Sequence, residues 1–193
     1  YPIRPATDTT LILALSYIII QRDKEAGGTI IDWDFLNNCT IGFDADHMPE
    51  GANKEENYMD YVLGTYDHEP KTPEWASKIC GLSVDRIYKL AEELINNKPT
   101  TCLFSWNSAR VEKAQHVCLA QMALGAMTGN MGIQGGAFSC SSRNLLRMVV
   151  QTLLKKVKMA LKKSRIRFPN QSYVQTTTGK IFYLVHGEMA KMV

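Results

Sequence analysis

The chain has 193 residues, 45% of them hydrophobic and 21% charged, with a formal net charge of +3. These values are ordinary for a folded globular chain, so wholesale disorder and a bundle of membrane spans are excluded, and the length allows one domain with at most an appendage. The small net charge conceals a division: residues 1–142 hold 11 Lys/Arg against 18 Asp/Glu, a net of −7, whereas residues 143–193 hold 11 against 1, a net of +10.

The first element expected is a helix that follows Asp8 as its capping acceptor and runs through the apolar residues 11–20. It is apolar on nearly every face and must lie between other layers, but it falls well short of the ~20 residues that a bilayer core requires. Gly27-Gly28 ends it. The residues before it lack the basic, apolar, small order of a secretory signal, so export would be directed from elsewhere. A short helix opened by Asp32 follows over residues 30–38, and residues 39–48 form an irregular stretch. Residues 49–70, rich in Gly, Asn, Glu and Asp, form a surface excursion in which only residues 58–63 are able to pack.

Thr72-Pro73-Glu74 opens a helix of about two turns with a hydroxyl cap, a proline at the first helical position and an acid, and Gly81 stops it. Ser83 caps the next helix, whose Ile87, Leu90, Ala91, Leu94 and Ile95 share one face until Asn96-Asn97. Residues 99–105 are the clearest strand. A loop over 106–110 and a helix over about 111–127, closed by Thr128-Gly129-Asn130, complete a helix, strand, loop, helix order. That order builds open α/β sheets, in which ligands lie at the carboxyl ends of strands. Gly132-Ile133-Gln134-Gly135-Gly136 is a turn that either brings the backbone close to a ligand or simply bends. In the basic segment, Leu146, Val149, Leu153, Val157 and Leu161 recur at helical spacing opposite lysines, as in a basic amphipathic helix. Two short strands over 173–178 and 180–185 are expected beyond it.

Five cysteines at positions 39, 80, 102, 118 and 140 form no Cys-x-x-Cys pair and have no histidine at ligand spacing. The pattern argues for buried thiols rather than a metal site or a disulfide framework within these residues. The four histidines, His47, His68, His116 and His186, are scattered, and neither a P-loop nor Gly-x-Gly-x-x-Gly is present. No catalytic residue and no metal ligand is read from local pattern.

Two places suit an anion. In the turn Arg4-Pro5-Ala6-Thr7-Asp8, Arg4 is placed to pair with a phosphate while Thr7 or Asp8 takes a sugar hydroxyl or a base amide. The alternative there is a plain helix cap with a solvated arginine. In Ser105-Trp106-Asn107-Ser108-Ala109-Arg110, a guanidinium and backbone amides at a helix amino end suit a pyrophosphate, and the indole suits a flat ring system. A core tryptophan with a surface arginine accounts for this pattern equally well.

Taken in order, Arg4-Pro5-Ala6-Thr7-Asp8, Lys71-Thr72-Pro73-Glu74-Trp75-Ala76, Ser105 to Arg110, and the run from Ala126 to Gly136 resemble the dimethyl sulfoxide reductase family of molybdopterin oxidoreductases. The family pattern has glycine where this chain has Ala6 and Ser105. The resemblance covers residues 3–137 and implies an α/β fold: a helix-rich fragment of an open, mostly parallel sheet domain over residues 1–142, followed by a basic helical or irregular tail over 143–193. It implies binding of molybdenum bis(molybdopterin guanine dinucleotide), with Arg4, Thr7, Asp8, Ser105, Trp106, Asn107 and Arg110 touching the dinucleotide. An iron–sulfur cluster, the metal-ligating residue and a carboxyl-terminal barrel are expected outside this chain, which would then be inactive alone. The partners implied are a small-molecule substrate, an iron–sulfur electron-transfer subunit and a membrane anchor subunit, with no nucleic acid. The location implied is bacterial and on the periplasmic side of the cell envelope, the cytoplasm being the alternative. Two rival readings remain at this point: a non-enzymatic module whose basic helix binds an anionic membrane or nucleic acid, and a helical structural module without a ligand.

Overall fold

The computed structural model describes residues 1–104, 110, 113–140 and 182–183. The elements run α1 (Asp8–Glu25), α2 (Trp33–Cys39), β1 (Thr40–Ile41), a 3-10 turn (Ala45–His47), α3 (Tyr58–Leu63), α4 (Pro73–Cys80), α5 (Val84–Asn96), β2 (Thr101–Phe104), α6 (Gln115–Met127), β3 (Ala137–Cys140) and β4 (Phe182–Tyr183). Helices dominate the described residues, whose strands form two parallel pairs, β1 with β4 and β2 with β3. The amphipathic segment and the strand expected over 173–178 lie outside the described residues; β4 falls within the strand expected over 180–185.

The apolar run becomes the centre of the molecule. Leu13, Ala14, Leu15, Ile18, Ile19 and Ile20 are buried around the whole circumference of α1, which packs against α3, α4, α5 and α6. The cap differs from expectation: α1 begins at Asp8 itself, and Thr7 occupies the capping position without accepting a helix amide. Its hydroxyl instead donates to the Arg4 carbonyl oxygen at 2.6 Å, because a local backbone acceptor competes with the helix for the short side chain. Asp8 then stands in the first turn, where its charge complements the helix dipole.

At the other end of α1, the buried Asp23 carboxylate fixes the chain reversal into α2. Its oxygens accept the backbone N–H groups of Ile30 and Ile31, each at 2.8 Å, and the indole N–H of Trp33 at 2.9 Å. Asp32 caps α2 by accepting the Phe35 N–H, as its place before the helix predicts.

Within the surface excursion, α3 is the part that packs. Tyr58 is fully buried, and its hydroxyl shares a 2.8 Å hydrogen bond with Ser16 of α1. Burial pushes the hydroxyls of Tyr58 and Tyr61 well above the usual phenol range, and the charges of Asp67 and Glu69 add to the effect at Tyr61. Both phenols therefore stay neutral in the folded chain after they ionise in the unfolded one. Their contribution to stability is complete below pH ~10 and falls as pH rises above it. Alkaline unfolding followed by circular dichroism should steepen above that pH, and Tyr58→Phe should make the decline shallower; an unchanged slope would contradict this account.

Helix α4 follows its sequence signals closely. The Thr72 hydroxyl accepts the Trp75 N–H, Pro73 is the first helical residue and Gly81 adopts a left-handed φ of 78° after the last. Just before it, Lys71 is fully buried, with its ammonium bonded to the Asp67 carboxylate and the Glu69 carbonyl. The same nitrogen lies 4.5 Å from the centre of the Tyr61 ring and 5.6 Å from that of Trp75. Helix α5 buries Ile87 and Ala91 and packs Leu90, Leu94 and Ile95 against the core, although Ser83 makes no capping bond through its hydroxyl.

The last part is a β–α–β unit, β2, α6 and β3, with Thr101 opposite Ala137 and Phe104 opposite Cys140. Asn130 is buried and ties the unit together. Its side-chain oxygen accepts the Thr100 N–H at 2.7 Å, and its amide donates to the Thr128 hydroxyl at 3.0 Å. Gly136 then passes close to this junction, where a β-carbon would lie 2.5 Å from the Asn130 carbonyl oxygen. The strand β3 is an element that the sequence pattern did not announce.

Candidate functional site

Arg4 is anchored to the carboxyl end of α4. Its Nη1 donates to the carbonyl oxygens of Lys78 at 2.8 Å and Ile79 at 3.0 Å, and its backbone N–H donates to that of Cys80 at 2.9 Å. A cation here satisfies carbonyls that the helix leaves without internal partners and complements the negative end of its dipole. Gly81, which follows, has a left-handed φ of 78°, and a β-carbon there would meet Arg4 only at ordinary contact distance, so its backbone conformation rather than space favours glycine. The turn that follows places Ala6 at a φ of 65°, in the left-handed region that L-residues other than glycine seldom adopt. Alanine pays about 1–2 kcal/mol for that conformation, partly offset by the lower entropy of its unfolded chain relative to glycine. Ala6→Gly is therefore expected to raise stability by roughly 0.5 kcal/mol in urea unfolding, and a loss of stability would count against strain at this turn.

Thr7 and Asp8 sit directly after this turn at the amino end of α1. Thr7 is committed to the Arg4 carbonyl, so its role here is to close the turn. The second predicted place lies between the carboxyl end of β2 and the amino end of α6. Of its residues Arg110 is described and exposed; Ser105, Trp106 and Asn107 lie outside the described residues. Ala114 holds the capping position of α6 and has no side-chain acceptor to offer, and Lys113 before it adopts a left-handed conformation with φ 58°. Because β3 runs parallel to β2, the carboxyl ends of both strands fall at the same edge of the sheet. Lys113 is a second exposed cation in this connection. Sequence reading missed it, and its spacing three residues beyond Arg110 was the available signal.

Two of the sequence runs resolve into structural roles. The glycine-rich run bends the chain from α6 into β3, and Thr101 donates its hydroxyl to the Gly135 carbonyl at 2.6 Å. The Lys71 to Ala76 run builds the buried ammonium site and the cap of α4.

The chemistry on offer is binding. Burial pushes the Cys102 thiol on β2 upward, against the opposing effect of Gln121, whose amide donates to the sulfur at 3.0 Å, so this thiol is poorly suited to act as a thiolate nucleophile. Among the described residues no group of three or more His, Cys, Asp or Glu is placed to hold a metal ion, and no helix is long and apolar enough to cross a membrane. Arg110 and Lys113 are the two exposed cations described in the β2–α6 connection.

No family model matches the chain. Over 136 residues, 70% of its length, it is 39% identical to the dimethyl sulfoxide reductase DmsA of Haemophilus influenzae and 38% identical to the DmsA of Escherichia coli, covering 16% of each. Over 138 residues, 72% of its length, it is 32% identical to the dimethyl sulfoxide/trimethylamine N-oxide reductase of Cereibacter sphaeroides, covering 14% of it. The chain is thus homologous to the dimethyl sulfoxide reductases and spans 14–16% of the length of these relatives.

Proposed function

On the premise of that homology, we propose that this chain is part of a molybdopterin-dependent oxidoreductase resembling dimethyl sulfoxide reductase. Residues 1–142 form part of a central, mostly parallel α/β domain that grips the guanine dinucleotide of the cofactor. The observation that carries the reading is the β2–α6–β3 unit, which places Arg110 in the connection leaving the carboxyl end of a parallel strand. In this role Arg110 and Lys113 neutralise the pyrophosphate, the amino end of α6 supplies backbone donors, and Trp106, with Ser105 and Asn107, orients the rings. The turn at Arg4, Thr7 and Asp8 lines the same cofactor, with Arg4 fixing the turn through α4.

The bound cofactor supplies the redox chemistry, while these residues bind and orient it. The whole enzyme would draw its metal ligand and iron–sulfur cluster from other parts of the protein. It would exchange electrons with an iron–sulfur subunit and a membrane anchor at the periplasmic face, and reduce a small oxidised substrate. By itself the chain would not turn over.

Titration of the purified chain with guanosine diphosphate, followed by tryptophan fluorescence, tests the binding role. Saturable binding is expected, weakened about tenfold or more by Arg110→Ala, as suits the loss of a charge-assisted contact to phosphate. Arg86→Ala on α5 is the control and should leave affinity unchanged. Equal affinity in the Arg110→Ala and parent chains, or no saturable signal, would overturn the assignment.

A further inference from the structure

We draw no further inference here: the strongest candidate, the exposed patch at Leu103 on the β2–β3 sheet, carries nothing because nothing in the structure shows what covers it.

Discussion

Replacing Asp23 by alanine is expected to cost about 4 kcal/mol of unfolding free energy, enough to leave a domain of ordinary stability largely unfolded near body temperature. The Asp23 residue is 3% exposed and its carboxylate accepts three donors, two backbone amides and an indole N–H, so its removal strands one donor in a buried place and two in half-buried ones. Each stranded donor costs roughly 1–3 kcal/mol, and some relaxation of the reversal recovers part of the sum. Asp23→Asn separates shape from charge. All three partners are donors, so an amide can keep one acceptor but must turn its NH2 group toward another donor, and an intermediate loss of about 2 kcal/mol follows. Urea midpoints for the two variants should fall in the order parent, Asn, Ala. Equal midpoints for Asn and parent would mean that the carboxylate is not the organising acceptor.

Lys71→Ala should be comparably severe, at about 3 kcal/mol, because it removes the buried partner of a half-buried pair and opens a void between Tyr61 and Trp75. Lys71→Met retains the volume of the alkyl stem and should recover more than half of the loss, leaving the missing ammonium contacts to Asp67 and Glu69 as the remainder. Since Asp67 is itself 23% exposed, its carboxylate can rehydrate in the methionine variant, which keeps the residual cost below that of a fully sealed charge. Thermal unfolding of the three chains decides the point. An alanine variant with the parent's melting temperature would show that the lysine is a bystander.

Features written in contiguous residues were the legible ones. Thr72, Pro73 and Gly81 mark both ends of α4, Asp32 marks the start of α2, and the apolar run of α1 announces a helix without a solvent face, each through interactions spanning a few residues. Lys71 was opaque because its surroundings come from α3, the following loop and α4, and no single period joins them. The strand β3 was missed for a related reason: four residues, Ala137 to Cys140, carry little strand signal until they pair with Thr101 to Phe104 far back in the chain. Thr7, at the capping position expected of Asp8, makes no capping bond because its hydroxyl turns to an upstream carbonyl that a rule about helix starts does not see.

The strand-then-helix order legible in the sequence puts Arg110 in the connection between β2 and α6 whatever the packing. The role of Arg4 was another matter. Its acceptors, the carbonyls of Lys78 and Ile79, are 74 and 75 residues away, and their orphan status exists only once α4 has formed and docked.

The enclosure of the middle turns of α1 bears on how the molecule comes apart. A helix touching four other helices offers no seam along which one neighbour can peel off privately, since each departure wets a surface that the remaining three still depend on. Opening is then shared across the helical body, and its slowest-exchanging amides should cluster in the middle turns of this one segment.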